Sequence, residues 1–415
     1  MAVNAKIPEG YKDSSLGVIP CDWKIKELKD EIELLEAGVS VNSIEDDVYP
    51  SFPAILKTSA VLNGSFYPAE CKKIKTEDIK RAKLNPKKDT IIISRMNTPV
   101  LVGECAYIDQ DYSDLFLPDR LWQTKFFKHS TINVKWLNYL LNTDQYKLKI
   151  KSAATGTSNS MKNISKDSFL SIKIPYPTEY EQSLIAKALG SIDNNITVVQ
   201  RLIAQKLCYK EWLVQELLIG RKRIKGFTEE WSLLRLGDLF KERVETGFNN
   251  LPLLSVGSNG IYPQTESSKI DTSNEDKSKY RRICKGDIGY NTMRMWQGRS
   301  ALSQLEGIIS PAYTVVSPNK NANALYFSYL FKTKALMHKF FRNSQGLVDD
   351  TLNCKFKDLA SITVCVPPYD EQTAIVTVLQ VADKEIELLK RKVNKLNSVK
   401  KGMMQLLLTG KKRLI

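Results

Sequence analysis

The chain lacks the residues that a redox or metal framework would need. Its seven cysteines, at positions 21, 71, 105, 208, 284, 354 and 365, include no Cys-x-x-Cys pair. An odd, scattered set argues against a disulfide framework and for a reducing, cytosolic setting. The two histidines, His129 and His338, sit beside aromatic residues and far from any cysteine pair, so packing outweighs zinc binding or general-base work. No phosphate-cradling Gly-x-x-x-x-Gly-Lys-[Ser/Thr] loop is present. No apolar run approaches the roughly 18 to 20 residues of a membrane span, and the opening fifteen residues lack the apolar stretch of a secretory signal. A soluble, cytoplasmic protein is expected.

Catalytic signatures are equally sparse. Val366-Pro367-Pro368-Tyr369 superficially matches the [Asp/Asn]-Pro-Pro-[Tyr/Phe] motif of amino-methyltransferases. The first residue of that motif must accept hydrogen bonds from the target amino group, which valine cannot do. No Gly-rich cofactor loop precedes it, so the prolines read as the lead-in to a helix. A nuclease needs clustered carboxylates with a lysine, and Pro118-Asp119 is followed only by Gln123-Thr124-Lys125. No metal site and no catalytic residue is expected in this chain.

What is present is positive charge. Against 46 acidic residues stand 61 Lys and Arg, a net +15, which favours a polyanionic partner such as nucleic acid. At 415 residues the chain is long enough for two or three domains.

The organisation emerges when the chain is compared with itself. Glu181-Gln182 recurs as Glu371-Gln372, an offset of 372 − 182 = 190. The same offset aligns Tyr139-Leu140 with Tyr329-Leu330, Gly156 with Gly346, Asn163 with Asn353 and Asp193 with Asp383. Without a gap it continues to Leu217-Leu218-Ile219-Gly220-Arg221-Lys222-Arg223 against Leu407-Leu408-Thr409-Gly410-Lys411-Lys412-Arg413. Upstream, Trp23 through Asp30 matches Trp231 through Asp238, but at 231 − 23 = 208, so the first copy carries 208 − 190 = 18 extra residues between these anchors. Each half therefore has a similar start, a divergent middle and a closely matched end. The matched parts should do one job twice, and the middles two different jobs of one kind.

After Pro175-Tyr176-Pro177 and after Pro367-Pro368 each half enters a long stretch nearly free of Gly and Pro, the signature of a helix. In the first, Ile185, Leu189, Ile192, Ile196, Val199 and Ile203 recur at alternating steps of 4 and 3. In the second, Ile375, Leu379, Ala382, Ile386, Leu389, Val393 and Leu396 do the same. Either each stripe packs on its own globular domain, or the two helices pair antiparallel about a pseudo-two-fold axis. Gly220 and Gly410 are placed to end them, and the basic triplets that follow can complement the helix dipole or touch phosphate.

Within the middles, β-branched runs such as Asp89 through Ser94 and Tyr313 through Val316 predict short strands. A helical segment closes each, over 133–151 and 323–341. The first strand runs into Arg95-Met96-Asn97-Thr98, and in the second half Lys285-Gly286-Asp287-Ile288 leads towards Arg294-Met295-Trp296-Gln297-Gly298-Arg299. Arginine pairs bidentately with guanine and Asn or Gln with adenine, so Arg95, Asn97, Arg294, Gln297 and Arg299 are candidate base readers. Arg120, Arg281 and Arg282 are candidate phosphate contacts.

A duplicated order of variable domain, matched helix, variable domain and matched helix resembles the specificity subunits of type I restriction-modification systems. The carriers are Leu16 through Trp23, Trp231 through Asp238, the Glu-Gln pairs after a proline-rich strand, and the Leu-Leu-x-Gly-[Arg/Lys]-Lys-Arg endings. The resemblance covers nearly the whole chain. It implies an α+β fold with two target recognition domains, 1–178 and 223–368, each followed by a long spacer helix, 179–222 and, together with a C-terminal tail, 369–415, the helices pairing as an antiparallel coiled coil with pseudo-two-fold symmetry. It implies two half-sites of double-stranded DNA, read at a spacing set by the helices. Its implied partners are two methyltransferase subunits, which bring S-adenosylmethionine, and through them restriction subunits using ATP and Mg, while this chain binds no cofactor. Two alternatives stay open at this point: a methyltransferase or nuclease acting alone, and a coiled-coil scaffold that does not bind DNA.

Overall fold

The computed structural model describes residues 7–45, 53–156, 160–257, 260–266, 275–346, 348 and 351–414. The fold is α+β and divides into two compact units, residues 1–198 with 393–415, and residues 199–392. Both divisions fall inside a helix. The first long helix, Glu179–Leu218, and the second, Tyr369–Leu407, are each continuous elements, so each begins in one unit and ends in the other.

The matched sequence segments explain how each unit closes. In unit 1 the strand Lys24–Glu27 pairs antiparallel with Lys173–Tyr176, Tyr176 opposite Lys24. In unit 2 Ser232–Arg235 pairs in the same way with Thr363–Val366, Ser232 opposite Val366. The strand that opens each copy thus bonds to the strand that ends its divergent middle. Whatever the length of that middle, its two ends return to one place, which is why 18 residues can be gained between the anchors without disturbing the repeat.

Each middle is built on a four-stranded sheet of the same order. In unit 1 the order is Cys105–Ile108, Thr90–Ser94, Leu121–Phe126, Ile32–Ala37. In unit 2 it is Ser300–Leu302, Ile288–Asn291, Tyr313–Pro318, Phe240–Glu242. The β-branched run of the first central strand is buried on both faces. Ile91 and Ile93 join one core with Trp122, Trp136 and Phe169, whereas Ile92 joins a second core with Ala106 and Leu121. This is the period-two alternation of a strand between two apolar layers. In unit 2, Ile288 and Tyr290 face the larger core, and Ala301 and Val315 lie in the smaller one.

The helical segments expected at 133–151 and 323–341 are each two helices. Val134–Leu141 is followed by Asp144–Ser152, and Ala324–Leu330 by Lys334–Asn343. The interruption comes from Thr143 and Thr333, which adopt extended backbone and cap the second helix of each pair through their hydroxyls. Asn133 and Asn323 cap the first helices in the same manner.

The helical stripes serve two purposes. Ile185 and Leu189 belong to the core of unit 1, and Ile375 and Leu379 to that of unit 2, so the start of each helix packs on its own domain. Ile196, Val199, Ile386 and Val393 are buried as well, while Ile192, Ile203, Leu389 and Leu396 are half-buried. The far end of each helix is apolar filling for the other copy. Leu407 and Leu408 lie in the core of unit 1, and Leu213, Leu217 and Leu218 in that of unit 2. Within unit 1 Lys400 pairs with Asp193, and within unit 2 Lys210 pairs with Asp383 and Lys206 with Glu385. In each unit the two helix segments therefore run antiparallel. No described helix is long and apolar enough to cross a membrane.

Candidate nucleic-acid interface

The residues repeated between the two copies converge on two polar ties that hold each unit's frame. Glu181 is fully buried and accepts from the Trp23 indole N–H at 2.8 Å and from Arg413 Nε and Nη2 at 2.5 and 2.8 Å. Glu371, also fully buried, accepts from Trp231 at 3.1 Å and from Arg223 at 2.5 and 2.7 Å. The neighbouring glutamines bind backbone. Gln182 donates to the Pro177 carbonyl at 3.0 Å and accepts from Asn133 N at 2.8 Å; Gln372 does likewise with Pro367 and Asn323. A second tie repeats too, since the Tyr139 hydroxyl and Lys400 both bind Asp193, as Tyr329 and Lys210 bind Asp383.

These ties assign the arginine that ends each basic triplet. Arg223 and Arg413 are neither free phosphate contacts nor mere complements to a helix end; each is locked into a buried carboxylate. The chain reaches them through Gly220 and Gly410, whose φ values of +73° and +71° are the left-handed conformation that closes a helix.

With the frame fixed, the candidate readers fall at the ends of the two central strands. In unit 1, Ser94 is the last residue of the central strand. Beyond it, Arg95 N donates to the Arg120 carbonyl at 3.1 Å and the Arg95 carbonyl accepts from Ile164 N at 3.0 Å. Arg95, Asn97 and Arg120 are thereby gathered on one edge. The Arg95 guanidinium lies 5.8 Å from the Trp122 ring, with its Nε buried and unpartnered. Arg120 is exposed. Asn97 accepts from Thr98 N at 2.8 Å and donates to Ser94 Oγ at 3.2 Å.

In unit 2 the Arg294 carbonyl accepts from Gln297 N at 3.0 Å and Arg299 N at 3.3 Å, which draws these three into one tight turn. Gln297 and Arg299 are exposed, and Trp296 packs edge-on against Phe341 at 6.0 Å. Arg281 and Arg282 stand apart, on the strand Arg281–Ile283, and are engaged in ion pairs. Arg281 binds Glu242 at 2.5 Å, and Arg282 binds Glu245 at 2.8 Å and Glu306 at 2.5 Å. Hydrogen bonds from Arg282 and then Arg243 hold the Glu245 carboxyl below the usual carboxylate range. Asp287, in the segment that leads towards the turn, is almost fully buried and bound by Arg243 at 2.7 Å. Apart from Arg243 with Glu245, these pairs are invisible in sequence because each joins residues tens of positions apart.

A cleft of unit 1, about 1020 Å³, is lined by residues such as Asn138, Asn142, Lys400 and Met404 and by none of the candidate readers. Of the candidate readers, Arg120, Gln297 and Arg299 are exposed, and Arg95, Asn97 and Arg294 are half-buried. Among the described residues no group of three His, Cys, Asp or Glu side chains is arranged to hold a metal ion.

A family model described as the type I restriction modification DNA specificity domain matches residues 20–205 and again 228–398. The MjaX protein of Methanocaldococcus jannaschii, named as a type I restriction enzyme specificity subunit, is 26% identical over 435 aligned residues, covering 98% of this chain and 97% of that protein. The EcoKI specificity subunit of Escherichia coli K12 is 21% identical, over 92% of this chain and 86% of its own. Among solved structures, the S subunit of a type I restriction-modification system from M. genitalium has a TM-score of 0.54 at 14% identity, covering 93% of this chain and 96% of that one. The HsdS subunit of Thermoanaerobacter tengcongensis has a TM-score of 0.51 at 17% identity, with 95% and 98% covered.

Proposed function

Because the chain belongs to the type I restriction-modification DNA specificity family, we propose that its two units each read one half of a bipartite, asymmetric DNA site. The observation that carries this reading is the pairing of a repeated frame with unrepeated edges. The same sheet order and the same buried ties recur, yet Arg95, Asn97 and Arg120 stand at one edge and Arg294, Gln297 and Arg299 at the other. Two identical edges would select a symmetric site, and two different ones select an asymmetric site.

The net charge of +15 supplies sequence-independent attraction to phosphate, which weakens as salt rises. The edges add base-specific energy, with each mismatched pair costing roughly 1 to 3 kcal/mol. The two long helices set the spacing of the half-sites and dock two methyltransferase subunits. Through these, restriction subunits join the complex. S-adenosylmethionine, ATP and Mg act on those partners, and this chain contributes recognition without catalysis, in the cytoplasm of a prokaryote.

The test is selection from a random duplex library with the full chain assembled on its methyltransferase subunits. The expected result is two unlike blocks of fixed sequence separated by an unspecified gap. Enrichment of a palindrome, or of nothing above non-specific DNA, would overturn the reading.

A further inference from the structure

The backbone bonds around the two reading edges establish which residues correspond, although the sequence offset differs there from that of the ties. In unit 1 the strand pair Thr90–Ser94 and Leu121–Phe126 sets Ser94 opposite Leu121. In unit 2 Ile288–Asn291 and Tyr313–Pro318 set Asn291 opposite Tyr313. The next residue donates its N–H across to the loop in both units, Arg95 to Arg120 at 3.1 Å and Thr292 to Ala312 at 3.5 Å. Its carbonyl then accepts from the residue after the repeated asparagine, Ile164 N at 3.0 Å in unit 1 and Cys354 N at 2.8 Å in unit 2. Arg95 therefore corresponds to Thr292, an offset of 292 − 95 = 197, and a methionine follows each, Met96 and Met293. The residue after that is Asn97 in one unit and Arg294 in the other.

We propose that Asn97 and Arg294 hold one and the same reading position of the shared frame, Asn97 reading adenine in one half-site and Arg294 guanine at the matching step of the other. The proposal rests on the reading that each unit recognises a half-site. Asn97 is suited to adenine by the bonds it already makes. An amide offers two lone pairs and two N–H groups. Thr98 N takes one lone pair at 2.8 Å and Ser94 Oγ takes one N–H at 3.2 Å, with Ser94 itself fully buried. One acceptor and one donor remain, fixed in a single orientation, and adenine N6–H and N7 require that pair. Arg294 opens the turn Met295–Gln297, and a guanidinium at that point matches guanine O6 and N7. The side-chain bonds of Asn97 go to Ser94 and Thr98, apart from the buried ties.

The experiment is library selection with the assembled full-length complex carrying Asn97→Asp or, separately, Arg294→Asn. Aspartate keeps an acceptor for Thr98 N but presents only acceptors to the base, so adenine should give way to cytosine at one step of the first block. Arg294→Asn should replace guanine by adenine at one step of the second block. Each change should shift preference at that step roughly tenfold or more and leave the other block unaltered. Either folded variant selecting the wild-type block, or altering the opposite block, would overturn the assignment. Should Asn97→Asp melt well below wild type, the outcome for Arg294→Asn decides. A wild-type complex that selects no sequence would instead overturn the half-site reading, which keeps the two failures distinct.

Discussion

The two ties differ in one respect, and the difference shows how the units are held. In unit 1, Arg413 binds buried Glu181 and also both oxygens of Asp22, at 2.9 and 2.8 Å. In unit 2, Arg223 binds buried Glu371 through Nε and Nη2 but donates from Nη2 also to the Glu229 carbonyl at 2.8 Å. Position 230, which matches Asp22 at the 208-residue offset, is a glutamate and exposed. The buried carboxylate is thus common to both units, whereas the second is particular to unit 1. What both copies retain is the group that accepts from an arginine and an indole N–H together.

Three measurements sharpen or break that comparison. The largest effect is expected from Glu181→Ala and Glu371→Ala, each of which removes the acceptor of an indole N–H, at about 1 to 3 kcal/mol for that donor alone, together with a carboxylate partner of an arginine. The loss should fall on the mutated unit alone, seen as faster amide exchange there. If both substitutions loosened both units equally, the ties would not be local to their units.

Smaller losses are expected from alanine at the helix-closing glycines. Both have positive φ, so a β-carbon costs roughly 1 to 2 kcal/mol. At Gly410 the new β-carbon would also lie 2.5 Å from Pro20 Cδ, whereas at Gly220 its nearest neighbour is the Trp231 ring at 3.2 Å. Gly410→Ala should therefore lower the melting temperature of the chain further than Gly220→Ala, and the reverse order would show that Pro20 yields freely.

The smallest effect concerns acid. The hydrogen bond from Arg413 holds the Asp22 carboxyl below its ordinary range. A carboxylate depressed in the folded state stabilises above its unfolded pKa, about 3.9, and that stabilisation is lost as pH falls through the folded value. Asp22→Asn should remove this share of the acid sensitivity of unit 1 without altering unit 2. An unchanged stability profile between about pH 5 and pH 3 would mean that solvent screens the pair completely.

The repeat, the two long helices and their closing glycines are legible in sequence because they depend on local period and on residue identity at one fixed offset. The role of the repeated Trp, Glu-Gln and Arg is not, since Trp23 and Arg413 meet across 413 − 23 = 390 positions. The middles resist for another reason. Their correspondence runs at 197 around the central strands, between the 208 of the start and the 190 of the end, so no single alignment reveals it. Arg281 and Arg282 illustrate the limit of charge as a signal. Composition counts a cation, but only the fold shows Glu242, Glu245 and Glu306 beside it.

That Leu407 and Leu408 complete the core of unit 1 has a consequence for synthesis. The ribosome makes residues up to 198 first and must add 392 − 198 = 194 more before the segment that finishes this unit begins to appear. At roughly 5 to 20 residues per second that is a wait of about 10 to 40 seconds. Unit 2 has no such wait, because residues 199–392 are contiguous. The half of the protein that is made first is therefore the last to be finished, and a nascent chain stalled before residue 407 carries an N-terminal domain with an open core for chaperones and proteases to find.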